Sequence, residues 1–323
     1  MTDPLLATEA DVHHAYRLIL RRDPDEAGLA FYHQLVTDGL TLEALCDHFF
    51  RSDEYHALLE SRGLAELATV DLGGYQVVVQ RRDSDFGRDI FHHQEYDESI
   101  RNLMRDNLRA GDLCLDLGAN IGVMTFLAAS IVGPEGRVFA VEPNPENVQQ
   151  LYRGLVVNGF TNVSVYPLAV SDRRAVFSLT GRSNTELVGA RPSDAGGHFV
   201  QSAAFDEVLG ELPRLDFVKI DIEGHEPPAL RGLTRLVTRH RPTLLAEFNP
   251  RCLKTQQEDP MDYLGFVFGL YPRVRAVSAF GDDVWFERAD DVMALWRKRD
   301  ADLTAAGELP AGLLHFDLLV PRP

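Results

Sequence analysis

The sequence predicts an α/β chain, a mostly parallel sheet covered on both faces, preceded by a small all-α unit. Two observations after residue 111 carry the α/β part. Short, nearly continuous apolar runs recur there, as strands buried on both faces require, and stretches of helical spacing separate them. A third observation carries the all-α part: before residue 60 the apolar residues fall at helical spacing and no strand-like run occurs.

In that first part ADVHHAYRLILRR, EAGLAFYHQLVTDG and TLEALCDHFFRSDEYHALLESRG predict three helices. DPDEAG supplies a turn and a helix start, Gly39 then Thr41 a stop and an N-cap, and Ser52 with Asp53 opens a last turn. The predicted parts are therefore residues 1–66 and 67–323. Through residue 70, five arginines face thirteen acids, a formal charge of −8 within a chain total of −17. His13, His14, His33, His48 and His56 also lie there, but no close set shares a helical face, so they read as surface histidines rather than metal ligands.

The whole chain has 323 residues, 45% of them hydrophobic, which suffices for one large domain and an appendage. Only three lysines (Lys219, Lys254, Lys298) accompany the arginines in this acidic chain, which disfavours an extended phosphate-binding face and so nucleic acid. No basic, apolar leader opens the sequence, and no apolar run approaches the roughly 18 residues of a membrane span, so a cytoplasmic location is expected. Cys46, Cys114 and Cys252 are isolated, without metal-type or disulfide-type spacing.

The first strand of the second part after YQVVVQRR is Leu113 to Leu117 in DLCLDLGANIG, followed by a glycine turn and the apolar helix IGVMTFLAASIVG. Ligands of open α/β sheets sit beyond such strand ends. The order Gly118, Asn120, Gly122 departs from the dinucleotide pattern, and Asp116 ahead of it would repel a pyrophosphate. An acid there suits a phosphate-free, cationic and hydroxyl-rich ligand such as S-adenosylmethionine. The second strand, Val138 to Val141, ends in Glu142 before a helix starting near Pro145. An acid at that place can accept both ribose hydroxyls of an adenosine.

Leu215 to Ile222 predicts a central strand, Thr243 to Phe248 its neighbour, and a helix from about Pro227 to Val237 between them. Alternation puts Lys219, Asp221 and Glu223 on one side, where a buried lysine must be paired. Asp221, Glu223, His225 and Glu247 then gather at neighbouring strand ends. Methyl transfer from a sulfonium needs the acceptor oxygen aligned and its proton removed, and either Glu223 or His225 could take that proton.

DLGANIG, FAVEPNPEN, NVSVYPLAVSD, FDEVL and VKIDIEGHEPPALRG together resemble the FkbM-type S-adenosylmethionine-dependent methyltransferases, over roughly residues 90 to 250. The resemblance implies a class I methyltransferase fold, Rossmann-like, with a seven-stranded, mostly parallel sheet whose last strand, in LLHFDLLV, is antiparallel. It implies that Asp116, Gly118, Asn120, Gly122, Glu142 and Asn144 hold the cofactor, that Ala169 flanks the adenine, and that Asp221 and Glu223 face the methyl group. It also implies a sugar hydroxyl as acceptor, in a glycolipid, polysaccharide or glycosylated natural product. The first 60 residues resemble a helical module found beside bacterial glycan-related enzymes. Docking to a glycan or partner, dimerisation and a stabilising cap all remain open for it.

Other features are secondary. Asp206 reads as a helix cap, TGRSNTELVGARPSDAGGHF as an acceptor loop or an ordinary mobile one, and GDDVWFER as a hairpin with Trp285 buried. In FHHQEYDE, His92, His93, Glu95 and Tyr96 are candidates for closing the methionine end. The rival functions are a nicotinamide oxidoreductase, a methyltransferase in which Asp221, Glu223 and Glu247 hold a divalent cation, and a non-catalytic scaffold.

Overall fold

The computed structural model describes residues 6–61, 67–81, 86–181, 185–189 and 198–322. The chain packs as two units, residues 1–67 and 68–323.

In the first unit the helix Glu9–Ala15 runs on through a wider π turn, Tyr16–Leu20, and helices Glu26–Thr37, Leu42–Phe50 and Asp53–Ser61 follow. The third predicted segment thus divides in two at Ser52, whose hydroxyl accepts the N–H of Tyr55 at 3.1 Å and so starts the last helix separately. Thr8, Asp25 and Thr41 cap the other helices. Their buried stripes meet around Tyr16, Tyr32 and Phe49, with Tyr16 edge-on to Phe49 at 4.9 Å and Tyr32 stacked on Phe49 at 5.0 Å. Gly28 is required here, because a β-carbon would lie 2.1 Å from the Tyr16 hydroxyl.

The strands in chain order are β1 (Leu67–Asp71), β2 (Gln76–Gln80), β3 (Leu113–Leu117), β4 (Arg137–Val141), β5 (Val163–Tyr166), β6 (Ala169–Val170), β7 (Val176–Gly181), β8 (Thr185–Gly189), β9 (His198–Ala203), β10 (Phe217–Ile220), β11 (Thr243–Phe248), β12 (Val274–Val277), β13 (Asp283–Phe286) and β14 (Phe316–Val320). The main sheet has eight strands in the order β13-β12-β14-β11-β10-β3-β4-β5. β11, β10, β3, β4 and β5 pair in parallel, while β14 lies antiparallel between β11 and β12. This is the class I methyltransferase order, with an eighth strand added at the edge. The addition is the hairpin strand β13, and it corrects one expectation: Trp285 is exposed, at 43%, with the Arg273 guanidinium over its ring at 4.6 Å. An edge strand has a solvent face, and an aromatic there packs on a cation instead of a core.

Alternation divides the core. Leu115, Leu117, Val218 and Ile220 face one layer, and Cys114 and Phe217 the other. The predicted helix from 227 to 237 is two, Glu226–Arg231 and Thr234–His240; at Gly232 between them a β-carbon would sit 2.1 Å from the Ser171 carbonyl oxygen. Asp206 caps the second of these, accepting the N–H of Arg235 and Leu236 at 2.8 Å each. The proposed acceptor loop falls partly outside the described residues; its described part adds β8 to a four-stranded sheet, β6-β9-β7-β8. No helix among the described residues is long and apolar enough to cross a membrane.

Candidate functional site

Parallel pairing sends the carboxyl ends of β3, β4, β10 and β11 to one edge, and β14 enters beside them with Asp317 opposite Glu247. A cavity of about 270 Å³ opens on that edge. Its walls are the turn 118–121, Glu142, Ala169, the segment 219–223 and Glu247, with His315 just before the last strand and Asp317 within it.

The glycine turn is built by packing as much as by any ligand. Gly118 has φ 83°, and a β-carbon on it would lie 1.9 Å from the Asp221 carbonyl oxygen, so the ends of β3 and β10 approach as closely as backbone allows. Glu142 holds the turn from the neighbouring strand. Its Oε2 accepts the Asn120 N–H at 2.8 Å and its Oε1 the Asn144 N–H at 2.8 Å, and burial raises its pKa to about 7. A carboxylate offers about four acceptor positions, and with the Asn147 side-chain amide also donating to Oε1 at 3.5 Å, roughly one is left for a ligand hydroxyl.

Gly118, Asn120, Glu142, Ala169, Asp221, Glu223 and Glu247 all line the cavity, and four sequence candidates stand off it. Asp116 is wholly buried inside β3, where the Thr125 hydroxyl donates to it at 2.6 Å and the Lys219 ammonium lies 3.8 Å away. The register that pairs Lys219 with Asp116 turns that acid toward the lysine and away from the turn. Gly122 is demanded by the core, since a β-carbon would meet Phe126 at 2.5 Å and Leu151 at 2.6 Å. Asn144 caps the helix Pro145–Asn158 through the Glu146 N–H. His225 is buried beside Ser171, 3.2 Å from its hydroxyl, with Phe177 edge-on, and burial lowers its pKa to about 4. A neutral, enclosed imidazole off the lining cannot reach an acceptor in the cavity.

At the far wall Lys219 is buried but lines the cavity, donating to Asp221 at 3.1 Å. Burial pulls its pKa down, yet Asp221 and Asp116 outweigh that and the ammonium stays charged. Burial, reinforced by Asp221, Glu226 and Glu223, raises Glu247 well above the carboxylate range; burial likewise raises Asp317, reinforced by Asp97 and Asp221. Glu223 sits in the left-handed region at φ 57° with its Oε2 3.8 Å from the Cys252 thiol. Among the described residues no three or more His, Cys, Asp or Glu lie close enough to hold a metal ion.

Asp97, His315 and Asp317 line the cavity without having been singled out from the sequence, and Tyr96, one of the candidates of its segment, lines it too. Asp317 had a readable signal, an acid inside the apolar strand LLHFDLLV. His92, His93 and Glu95 of the same segment as Tyr96 are exposed and are not part of the cavity lining.

Residues 116–270 match the family described as Methyltransferase FkbM domain. The chain is similar to the hexuronic acid methyltransferase AglP of Haloferax volcanii, 29% identical over 143 residues, which are 43% of this chain and 56% of that protein. It is also similar to a protein-L-isoaspartate O-methyltransferase of Ignicoccus hospitalis, 38% identical over 58 residues, 18% of this chain and 28% of that one. The chain thus spans about half, or less, of these relatives' length. Among solved structures, the methyltransferase FkbM of Methylobacillus flagellatus superposes with a TM-score of 0.41 at 15% identity, covering 81% of this chain and 71% of that one.

Proposed function

We propose, from the match of residues 116–270 to the Methyltransferase FkbM domain family, that the protein transfers a methyl group from S-adenosylmethionine to a hydroxyl of a sugar, in a glycolipid, polysaccharide or glycosylated natural product. The observation that carries the reading is the single cavity that joins a glycine turn and Glu142 to the acids at 221 and 223.

The residues present fit the cofactor. The turn 118–121 lines the cavity, and the buried Glu142 carboxylate lines it from the next strand end, where ribose hydroxyls would need an acceptor. The charged groups of the far wall suit an ammonium and a sulfonium better than a pyrophosphate, which Asp221 and Glu223 would repel. When bound, the cofactor supplies an electrophilic methyl group. The chain's own work is to seat the acceptor, keep water out and remove one proton. Glu223 takes the proton of the acceptor hydroxyl, Glu247 in its protonated form donates a hydrogen bond, and Lys219 with Asp221 fixes the wall behind them. The sugar acceptor is supported by the name of the Haloferax volcanii relative.

Two measurements test this reading. Calorimetry should show binding of S-adenosylmethionine and S-adenosylhomocysteine and none of NAD, and isotope-labelled S-adenosylmethionine should methylate at least one of a panel of neutral, amino and uronic methyl glycosides. Heat with NAD alone, or no heat with any of the three, would replace the methyltransferase reading by the oxidoreductase or the scaffold.

For the helical unit we propose a docking or dimerisation role, supported by its separate core. A fragment starting at residue 68 should bind S-adenosylhomocysteine as the full chain does, but lose activity on a large glycan acceptor or change its oligomeric state. A fragment that cannot fold would make the helices a structural part of the enzyme instead.

A further inference from the structure

We infer that Glu226 is a positioning residue, which holds the turn that presents Glu223 to the acceptor; the inference rests on the function proposed above. Glu226 opens the helix Glu226–Arg231, is wholly buried and does not line the cavity. One of its oxygens, Oε1, accepts the N–H of Ile222 at 2.9 Å and that of Gly224 at 3.2 Å. Those two amides flank Glu223.

Glu223 has φ 57° and Gly224 φ 94°, two successive residues in a region that side chains other than glycine seldom adopt. A strained residue of this kind persists only where its surroundings hold it. Two walls are backbone. A β-carbon at Gly118 would lie 1.9 Å from the Asp221 carbonyl oxygen, and one at Gly224 would lie 2.3 Å from the Cys252 carbonyl oxygen. Glu226 supplies the third support: among the described residues its Oε1 is the acceptor of both amides.

The chemistry of Glu226 argues against a packing role. Its Oε2 is buried without a hydrogen-bond partner among the described residues, and burial, reinforced by Asp221, raises its pKa to about 7 against the opposing backbone donors. A buried carboxyl with an idle oxygen stabilises a core less than an apolar side chain of the same volume. What a carboxyl adds at this place is one oxygen shared by the amides on either side of Glu223.

The test uses four variants of the full chain: Glu226→Gln, which keeps an acceptor oxygen; Glu226→Leu, which fills the volume without one; Glu223→Gln; and the double variant Glu223→Gln/Glu226→Leu. Amide hydrogen exchange at residues 222 and 224, S-adenosylhomocysteine affinity, and kcat on the best glycoside of the panel above are read for each. Glu226→Leu should speed exchange of both amides at least about tenfold, as loss of their acceptor requires. It should also lower kcat by roughly 10- to 100-fold while cofactor affinity changes less than about threefold. Glu226→Gln should stay near the parent in all three. In the Glu223→Gln background Glu226→Leu should cost no further kcat, because it acts through Glu223.

Unchanged exchange in Glu226→Leu, or a kcat loss that is equal in both backgrounds, overturns the positioning role. Full kcat in Glu223→Gln overturns the base assignment instead, so the two failures are told apart. Where Glu226→Leu does not fold, Glu226→Asp, which withdraws the oxygen by one methylene, must show the same split between kcat and affinity.

Discussion

Glu223→Gln should lower turnover on the order of 10² to 10⁴ while leaving S-adenosylhomocysteine affinity nearly unchanged, the usual size of a lost general base. The substitution preserves shape and removes only the ability to take a proton. Of the residues singled out from the sequence at this edge, Glu223 is the one we propose for that task. His225 is enclosed beside Ser171, and burial, reinforced by the surrounding acids, pushes the Glu247 pKa well above the carboxylate range. Asp221 is engaged by the Lys219 ammonium at 3.1 Å. Activity should also survive exhaustive chelation, since a cation among these acids would stand beside a buried ammonium. Loss of activity in EDTA with recovery in magnesium would reject the base and make ligands of Asp221 and Glu247; so would a Glu223→Gln variant with parental turnover.

The parts of this site that the sequence discloses are those where local chemistry and strand position coincide. Glu142 was readable because an acid directly after a buried apolar strand has one place to go, the carboxyl edge of the sheet. Asp116 looked equivalent and is not. It lies within the strand, so its direction depends on pairing with Lys219 across more than a hundred residues of sequence, and only the register of β3 against β10 discloses that. Gly118 and Gly122 are alike on paper, yet the first is bare because another strand end crosses it and the second because Phe126 fills the space.

His225 illustrates the same limit from the other side. A histidine two residues from Glu223 invites a catalytic role, but the left-handed pair Glu223–Gly224 turns the chain between them and buries the imidazole against β7. Asp97 and His315 come from segments over two hundred residues apart and meet only through the fold. Of the sheet, β3, β4, β10, β11 and β14 were legible one by one, β5 and β12 were not placed, and β13, exposed at three of its four residues, was read as a hairpin and not as part of the sheet.

Glu142→Ala should weaken S-adenosylhomocysteine binding by about 1.5 to 3 kcal/mol, the range for hydrogen bonds to a charged group, or roughly 10- to 150-fold in Kd. Part of that loss would be indirect, because Glu142 also holds the Asn120 amide and with it the glycine turn. The two contributions separate with a cofactor analogue. The 2′-deoxy form of S-adenosylhomocysteine lacks one hydroxyl, so it should bind the parent less tightly than the full ligand and bind Glu142→Ala with little difference between the two. A pH series gives a second handle. Burial raises the Glu142 pKa to about 7, and protonation occupies one of its accepting positions, so parental affinity should rise between pH 6 and 8 as the group ionises. That rise should vanish in Glu142→Ala. A folded Glu142→Ala variant with parental affinity, or one that still discriminates against the deoxy ligand as the parent does, would remove the ribose assignment and leave Glu142 as a brace for the turn.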